Sequence, residues 1–166
     1  MDKFKTAIIG KQLIVKILGR GSFKNSKDLR DHVLEKLEKD ADECFVDLKE
    51  CISMDSTFMG MLAGLNFALK NRKGKNIYFS NITNPTRELL STLGLLELIS
   101  QKTPDKAAEQ ADFKELPLVQ GRTPGMAKHM LESHEMLSNL DKKNKEKFKK
   151  VVDSLKESVN KDKEKD

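Results

Sequence analysis

The chain has 166 residues, and its 31 Lys and Arg against 26 Asp and Glu leave a net charge of +5 within a 34% charged fraction. After residue 125 there are 11 Lys against 9 Asp and Glu, a net +2, which leaves +3 for the rest. Basic groups are therefore diluted by acids throughout, and no face is supplied for tracking nucleic-acid phosphates. A single Tyr and no Trp make base stacking equally poor, while Cys44 and Cys51 are too few for a disulfide framework or a thiolate metal site.

Of the 44 Leu, Ile, Val and Phe residues, 35 fall in residues 1–118, so the core is expected there and residues 119–166 read as surface helices and tail. No apolar run reaches 18 residues, and Met1-Asp2-Lys3-Phe4-Lys5 lacks the apolar stretch of a secretory signal. A cytoplasmic protein with no membrane span is the expectation.

In chain order, Thr6–Ile9 and the alternating Leu13, Val15 and Ile17 predict paired strands around a Gly10-Lys11 turn. Ser26 is a candidate cap for a helix carrying Leu29, Val33, Leu34 and Leu37. Cys44–Leu48 reads as a strand covered on both faces, and Asp55-Ser56 opens a long apolar helix from Thr57 to Lys70. Ile77–Ser80 is a further strand, Pro85–Ile99 a further amphipathic helix, and Thr103-Pro104 opens a short helix through Ala111. Alternating strands and helices predict an α/β fold with a mixed sheet of four to five strands and helices mainly on one face.

The expected domain spans residues 1–112, followed by a connector at 113–125 broken by Pro117, Gly121, Pro124 and Gly125. A helical hairpin is expected at 126–159, with Phe148, Val151, Val152, Leu155 and Val159 on one stripe, and a disordered tail at 160–166. The stripe is too short for a stable coiled coil, so the hairpin docks on its own domain, on a second copy as a homodimer, or on a partner. Glu146, Asp153 and Glu157 offset its lysines and disfavour a membrane-surface helix.

Candidate chemistry concentrates at Asp55-Ser56-Thr57. Carboxylate and hydroxyl groups at a helix start satisfy orphan N–H groups, and capping alone explains them. The helix N-terminus also tolerates a phosphate there. Phe58, Met61, Leu62, Leu65 and Leu69 form the core stripe. Met59, Ala63 and Phe67 lie on another side, either facing a partner or covered by a second layer. Gly60 and Gly64 share a face and permit close approach of another backbone. His32, His129 and His134 have no metal-ligand spacing and are read as surface or helix-packing residues. No nucleotide-binding glycine loop, cofactor motif or paired nucleophile and base is present, so no catalytic residue, metal or cofactor is expected.

The segment Val46-Asp47-Leu48 followed by Asp55-Ser56-Thr57-Phe58-Met59-Gly60 resembles the signature of the STAS domain family of anti-sigma factor antagonists. Asn84-Pro85-Thr86-Arg87-Glu88-Leu89-Leu90, then Leu93-Gly94-Leu95, resembles the family's later helix, and the strand ending at Gly19 resembles its opening strand. The resemblance covers about residues 5–112. It implies a phosphoacceptor at Ser56, with Thr57 as the alternative, and a partner-binding surface at Asp55, Ser56, Thr57, Met59, Ala63 and Phe67. It further implies a bacterial regulator of transcription that is not an enzyme, whose unphosphorylated form binds an anti-sigma factor that is also a serine kinase, with a serine phosphatase resetting it. The alternative within the same fold is a non-switching adaptor or structural subunit of a stress-sensing or lipid-transport assembly.

Overall fold

A computed structural model describes residues 1–119 and 123–164. Its first elements are β1 (Lys3–Ile9) and β2 (Gln12–Gly21), an antiparallel hairpin turned at Gly10-Lys11, where Gly10 adopts φ 57°. Two-residue hairpin turns need such a backbone because its twist matches that of the flanking strands.

Helix α1 (Ser26–Lys39) leads to β3 (Glu43–Asp47), which runs parallel to β2. The short β4 (Cys51–Met54) follows and delivers the chain to α2 (Ser56–Lys70). Then come β5 (Asn76–Ser80), α3 (Asn84–Thr92), a short 3-10 turn at Lys106–Gln110, β6 (Lys114–Glu115), α4 (Met126–Ser138) and α5 (Lys142–Glu164). The sheet order is β5-β3-β2-β1-β6, and β4 pairs with the far end of β2.

The main core lies between one sheet face and the helices. Leu13, Val15 and Ile17 of β2 meet Leu29, Val33 and Leu37 of α1 and Phe58, Leu62 and Leu69 of α2 in one buried cluster. Phe4 and Phe58 pack with ring centres 5.9 Å apart. On the opposite face Ile14 and Phe45 are covered by Ala108 and Phe113 from the segment after α3. Because both faces are covered, Cys44, Phe45 and Val46 are all buried, which is the continuous apolar run expected of an inner parallel strand.

Several boundaries differ from the sequence reading. Residues 51–54, between the expected strand and the Asp55-Ser56 helix start, form β4, whose parallel pairing with β2 resumes after a shift of register between Gly19 and Arg20. Ser26 is the first residue of α1 rather than its cap; Asn25 holds the cap position and its Oδ1 accepts from the Ser22 N–H at 2.9 Å. The helix expected to run from Pro85 to Ile99 stops at Thr92, because Gly94 takes φ 76° and turns the chain. Its start carries a reciprocal capping box between Thr83 and Thr86. The Thr103–Ala111 helix is only the 3-10 turn at Lys106–Gln110.

Within the expected connector, β6 pairs with β1 and Leu116 is buried; Gly121 lies outside the described residues. Helix α5 continues to Glu164, so residues 160–164 of the expected disordered tail are helical, while residues 165 and 166 lie outside the described residues. Lysine and glutamate are good helix formers and can continue a helix with nothing to bury.

Candidate functional site

The site is built where β4 ends. Because β4 runs beside the last residues of β2, the Asp55 N–H reaches the Gly21 carbonyl at 2.9 Å. That contact fixes the loop that opens α2. The Asp55 carboxylate then serves two donors: Oδ1 accepts from the Phe58 N–H at 2.9 Å, capping α2, and Oδ2 accepts from the Phe23 N–H at 2.8 Å. One side chain thus joins the start of the helix to the loop after β2. Asp47, at the end of β3, plays a similar part nearby. Its Oδ1 accepts from the Lys49 N–H at 2.9 Å and from Asn81 Nδ2 at 3.0 Å.

Ser56 is the first residue of α2 and is half-buried, while Thr57 is buried beside it. The Ser56 hydroxyl lies 2.9 Å from Nε2 of His134, on α4. His134 Nδ1 is 2.7 Å from the Met130 carbonyl, so the ring proton sits on Nδ1, Nε2 is the acceptor, and the Ser56 hydroxyl is the donor. The Phe148 ring of α5 meets the His134 ring edge-on, with centres 5.6 Å apart.

A second serine–histidine contact lies one turn away on α4. Ser26 and His129 Nε2 are 2.8 Å apart, and the Arg30 guanidinium donates to His129 Nδ1 at 3.0 Å. Here the polarity is reversed: Nδ1 accepts, so Nε2 carries the proton and donates to Ser26. Burial, aided by the Arg30 charge, pushes His129 down to about 4, which keeps this ring neutral at physiological pH.

Both contacts hold the C-terminal hairpin against the domain. At Gly60 a Cβ atom would collide with the backbone carbonyl of Ser133, so α4 crosses α2 at a distance only glycine permits. Gly64, four residues on, has no such neighbour; the small-residue pair is a crossing point at one position and open at the other. Asn144, buried in α5, donates to the Leu93 carbonyl at 2.9 Å and ties the hairpin to the end of α3.

Of the residues assigned to a partner surface, Met59 and Ala63 are buried in the closed chain, whereas Phe67 is 61% exposed. Asp55, Ser56 and Thr57 are brought together at the start of α2. His129, His134 and Ser133 were missed as parts of the site, since their contacts with Ser26, Ser56 and Gly60 depend on how α4 is seated. Among the described residues, no group of three or more His, Cys, Asp or Glu side chains is placed to hold a metal ion. No helix among them is long and apolar enough to cross a membrane. Burial pushes the Cys44 thiol up to about 12, as expected of an unreactive core cysteine.

Residues 4–100, more than half of the chain, match the family model described as Mlab, STAS domain. The chain belongs to the STAS domain family. Solved structures agree on the fold. The anti-sigma factor antagonist SpoIIAA in its unphosphorylated form superposes with a TM-score of 0.51 at 14% identity, covering 64% of this chain and 94% of that one. The Bacillus cell fate determinant SpoIIAA in its phosphorylated form matches equally, with a TM-score of 0.51, 14% identity, and 64% and 97% coverage. The NMR structure of the protein TM1081 gives a TM-score of 0.54 at 17% identity, covering 63% of this chain and 82% of that one. Among proteins of curated function, none matches this sequence. The family match ends at residue 100, and the α4–α5 hairpin lies beyond it.

Proposed function

We propose that this STAS domain is a phosphorylation-controlled protein-binding switch of the anti-sigma factor antagonist kind, with Ser56 as the phosphoacceptor. The observation that carries the reading is the placement of Ser56: a half-buried hydroxyl on the first residue of α2, directly after the capping carboxylate of Asp55. Thr57 is the poorer acceptor because its side chain is buried. A phosphate on Ser56 adds roughly −1.5 to −2 charges next to Asp55, at a helix end whose dipole tolerates them. A partner fitted to the unmodified surface then loses affinity, and a coupling of about 1–3 kcal/mol is a roughly 5- to 150-fold change. The likeness in fold to SpoIIAA, solved in phosphorylated and unphosphorylated forms, supports the same reading.

On this reading the partners are a serine kinase that also acts as an anti-sigma factor, and a serine phosphatase, in a bacterial cytoplasm. The protein is substrate and ligand rather than enzyme. Intact-mass analysis after incubation with ATP and extract of its own cells tests the acceptor: one phosphate is expected on wild type and none on Ser56→Ala. A kinase-like partner should bind wild type and leave Ser56→Asp.

A non-switching adaptor is the second reading. It is favoured by one specific observation, that the Ser56 hydroxyl is already engaged by His134 and the neighbouring Met59 and Ala63 are covered. Its signature is an unphosphorylated Ser56 in cells and an identical partner set for wild type and Ser56→Asp.

A further inference from the structure

Two serine–histidine pairs tie α4 to the domain, and they differ in what happens to the serine proton. His129 Nε2 donates to Ser26, because Nδ1 of that ring accepts from Arg30. His134 Nε2 instead accepts from Ser56, because its Nδ1 donates to the Met130 carbonyl. Only the second histidine draws on a serine proton. Its serine is also the accessible one, since Ser56 is half-buried and Ser26 is fully buried. Capping does not call for the contact, because Asp55 already caps α2.

A hydroxyl, a base within hydrogen-bond reach and a group that orients the base are the parts of an activated nucleophile. Ser56, His134 and the Met130 carbonyl supply them at 2.9 and 2.7 Å. His134 is 4% exposed and meets the Phe148 ring edge-on, so the imidazole has little room to turn. The close crossing of Ser133 over Gly60 sets the register that brings the next residue, His134, to Ser56.

We propose that His134 is the proton acceptor that makes Ser56 a nucleophile toward phosphoryl donors. In transfer from a nucleoside triphosphate held by the kinase, Ser56 Oγ bonds to the γ-phosphorus. The bond from that phosphorus to the bridging oxygen breaks, and the nucleoside diphosphate leaves with its electron pair. The serine proton passes to His134 Nε2 and then to water. This inference deepens the reading of Ser56 as phosphoacceptor and rests on it.

The test uses the full chain and a fluorophosphonate, an electrophile that needs no kinase. Ser56 Oγ bonds to its phosphorus, and fluoride leaves. Peptide mapping by mass spectrometry is expected to find the label on Ser56 of wild type. His134→Gln keeps an acceptor for the hydroxyl but takes up no proton, and labelling should slow by roughly 100-fold or more. His134→Ala should be slowed similarly and regain about tenfold or more when free imidazole is added, a rescue that a merely structural contact does not give.

Equal labelling rates for wild type and His134→Gln would overturn the proposal. So would an unreactive Ser56 in wild type, or a His134→Ala protein indifferent to imidazole. If labelling behaves as expected and Ser56 carries no phosphate in cells, the activated serine stands and the switch falls. If cell extract with ATP phosphorylates Ser56 equally fast in wild type and His134→Gln, the switch stands and His134 is not its proton acceptor.

Discussion

The Ser56 hydroxyl donates to Nε2 of His134 across 2.9 Å, joining the first residue of α2 to a buried imidazole on a helix outside the family match. Phosphorylation replaces the donated hydroxyl proton, so the hydrogen bond to the neutral His134 ring is lost. Ser56→Asp imitates that loss and is expected to raise hydrogen exchange in α4 and α5 relative to wild type. In a double-mutant cycle, Ser56→Ala and His134→Ala should couple by about 0.5–1.5 kcal/mol, the usual net worth of such a bond. Additive losses measured by urea unfolding would mean that the contact contributes nothing to holding the hairpin.

Asp55 is expected to matter more for the shape of the site than for charge. Its two oxygens hold the Phe58 and Phe23 N–H groups, so Asp55→Ala frees the start of α2 and the loop after β2 together. A loss of about 0.5–2 kcal/mol follows from the cap alone. Asp55→Asn keeps one acceptor oxygen and should recover part of it. Equal urea midpoints for the alanine and wild-type proteins would contradict the double role.

Most of the domain was legible because its elements are locally marked. Gly10-Lys11 between alternating apolar residues is a hairpin signal, and Asp55 before an apolar run is a helix start. Strand β4 escaped notice because Cys51–Met54 is only four residues long and gains its identity from pairing with β2. The Leu-rich run 95–99 mimicked a helix, whereas Gly94 ends α3 early, Leu95 and Ile99 are buried from turns, and Leu98 is exposed. The second apolar side of α2, with Met59, Ala63 and Phe67, left two readings open, a partner surface or a covering layer. Which residues provide it was not legible: His134 meets Ser56 only because Ser133 crosses at Gly60, a register set by tertiary packing.

His129 makes the seating of the hairpin sensitive to acid. Burial and the Arg30 charge hold it down to about 4, against an ordinary value of 6.5, with Lys27, Asp31 and Glu132 also near. Between those pH values the unfolded chain binds a proton that the folded one refuses, so stability rises with pH there. The contribution is fully present above about pH 6.5 and is lost as pH falls toward 4. His32 is also lowered by burial and adds in the same direction. His129→Gln removes one titrating group, and its urea midpoint should fall less steeply than that of wild type from pH 7.5 to 4.5. Parallel profiles would mean that His129 is protonated in the folded chain.

Gly60 and Gly64 offer the sharpest contrast, since they share a helix and differ only in what lies over them. Alanine in a helix interior is favoured over glycine by about 0.5–1 kcal/mol. At Gly64 a methyl group meets nothing within 4 Å, so Gly64→Ala should stabilise the protein by about that amount. At Gly60 the same methyl group would strike the Ser133 carbonyl, and the helix gain is outweighed by displacement of α4. Gly60→Ala should therefore expose the connector to proteolysis, whereas Gly64→Ala should not. If both substitutions stabilise alike and leave the proteolysis pattern unchanged, α4 does not depend on its close approach at Gly60.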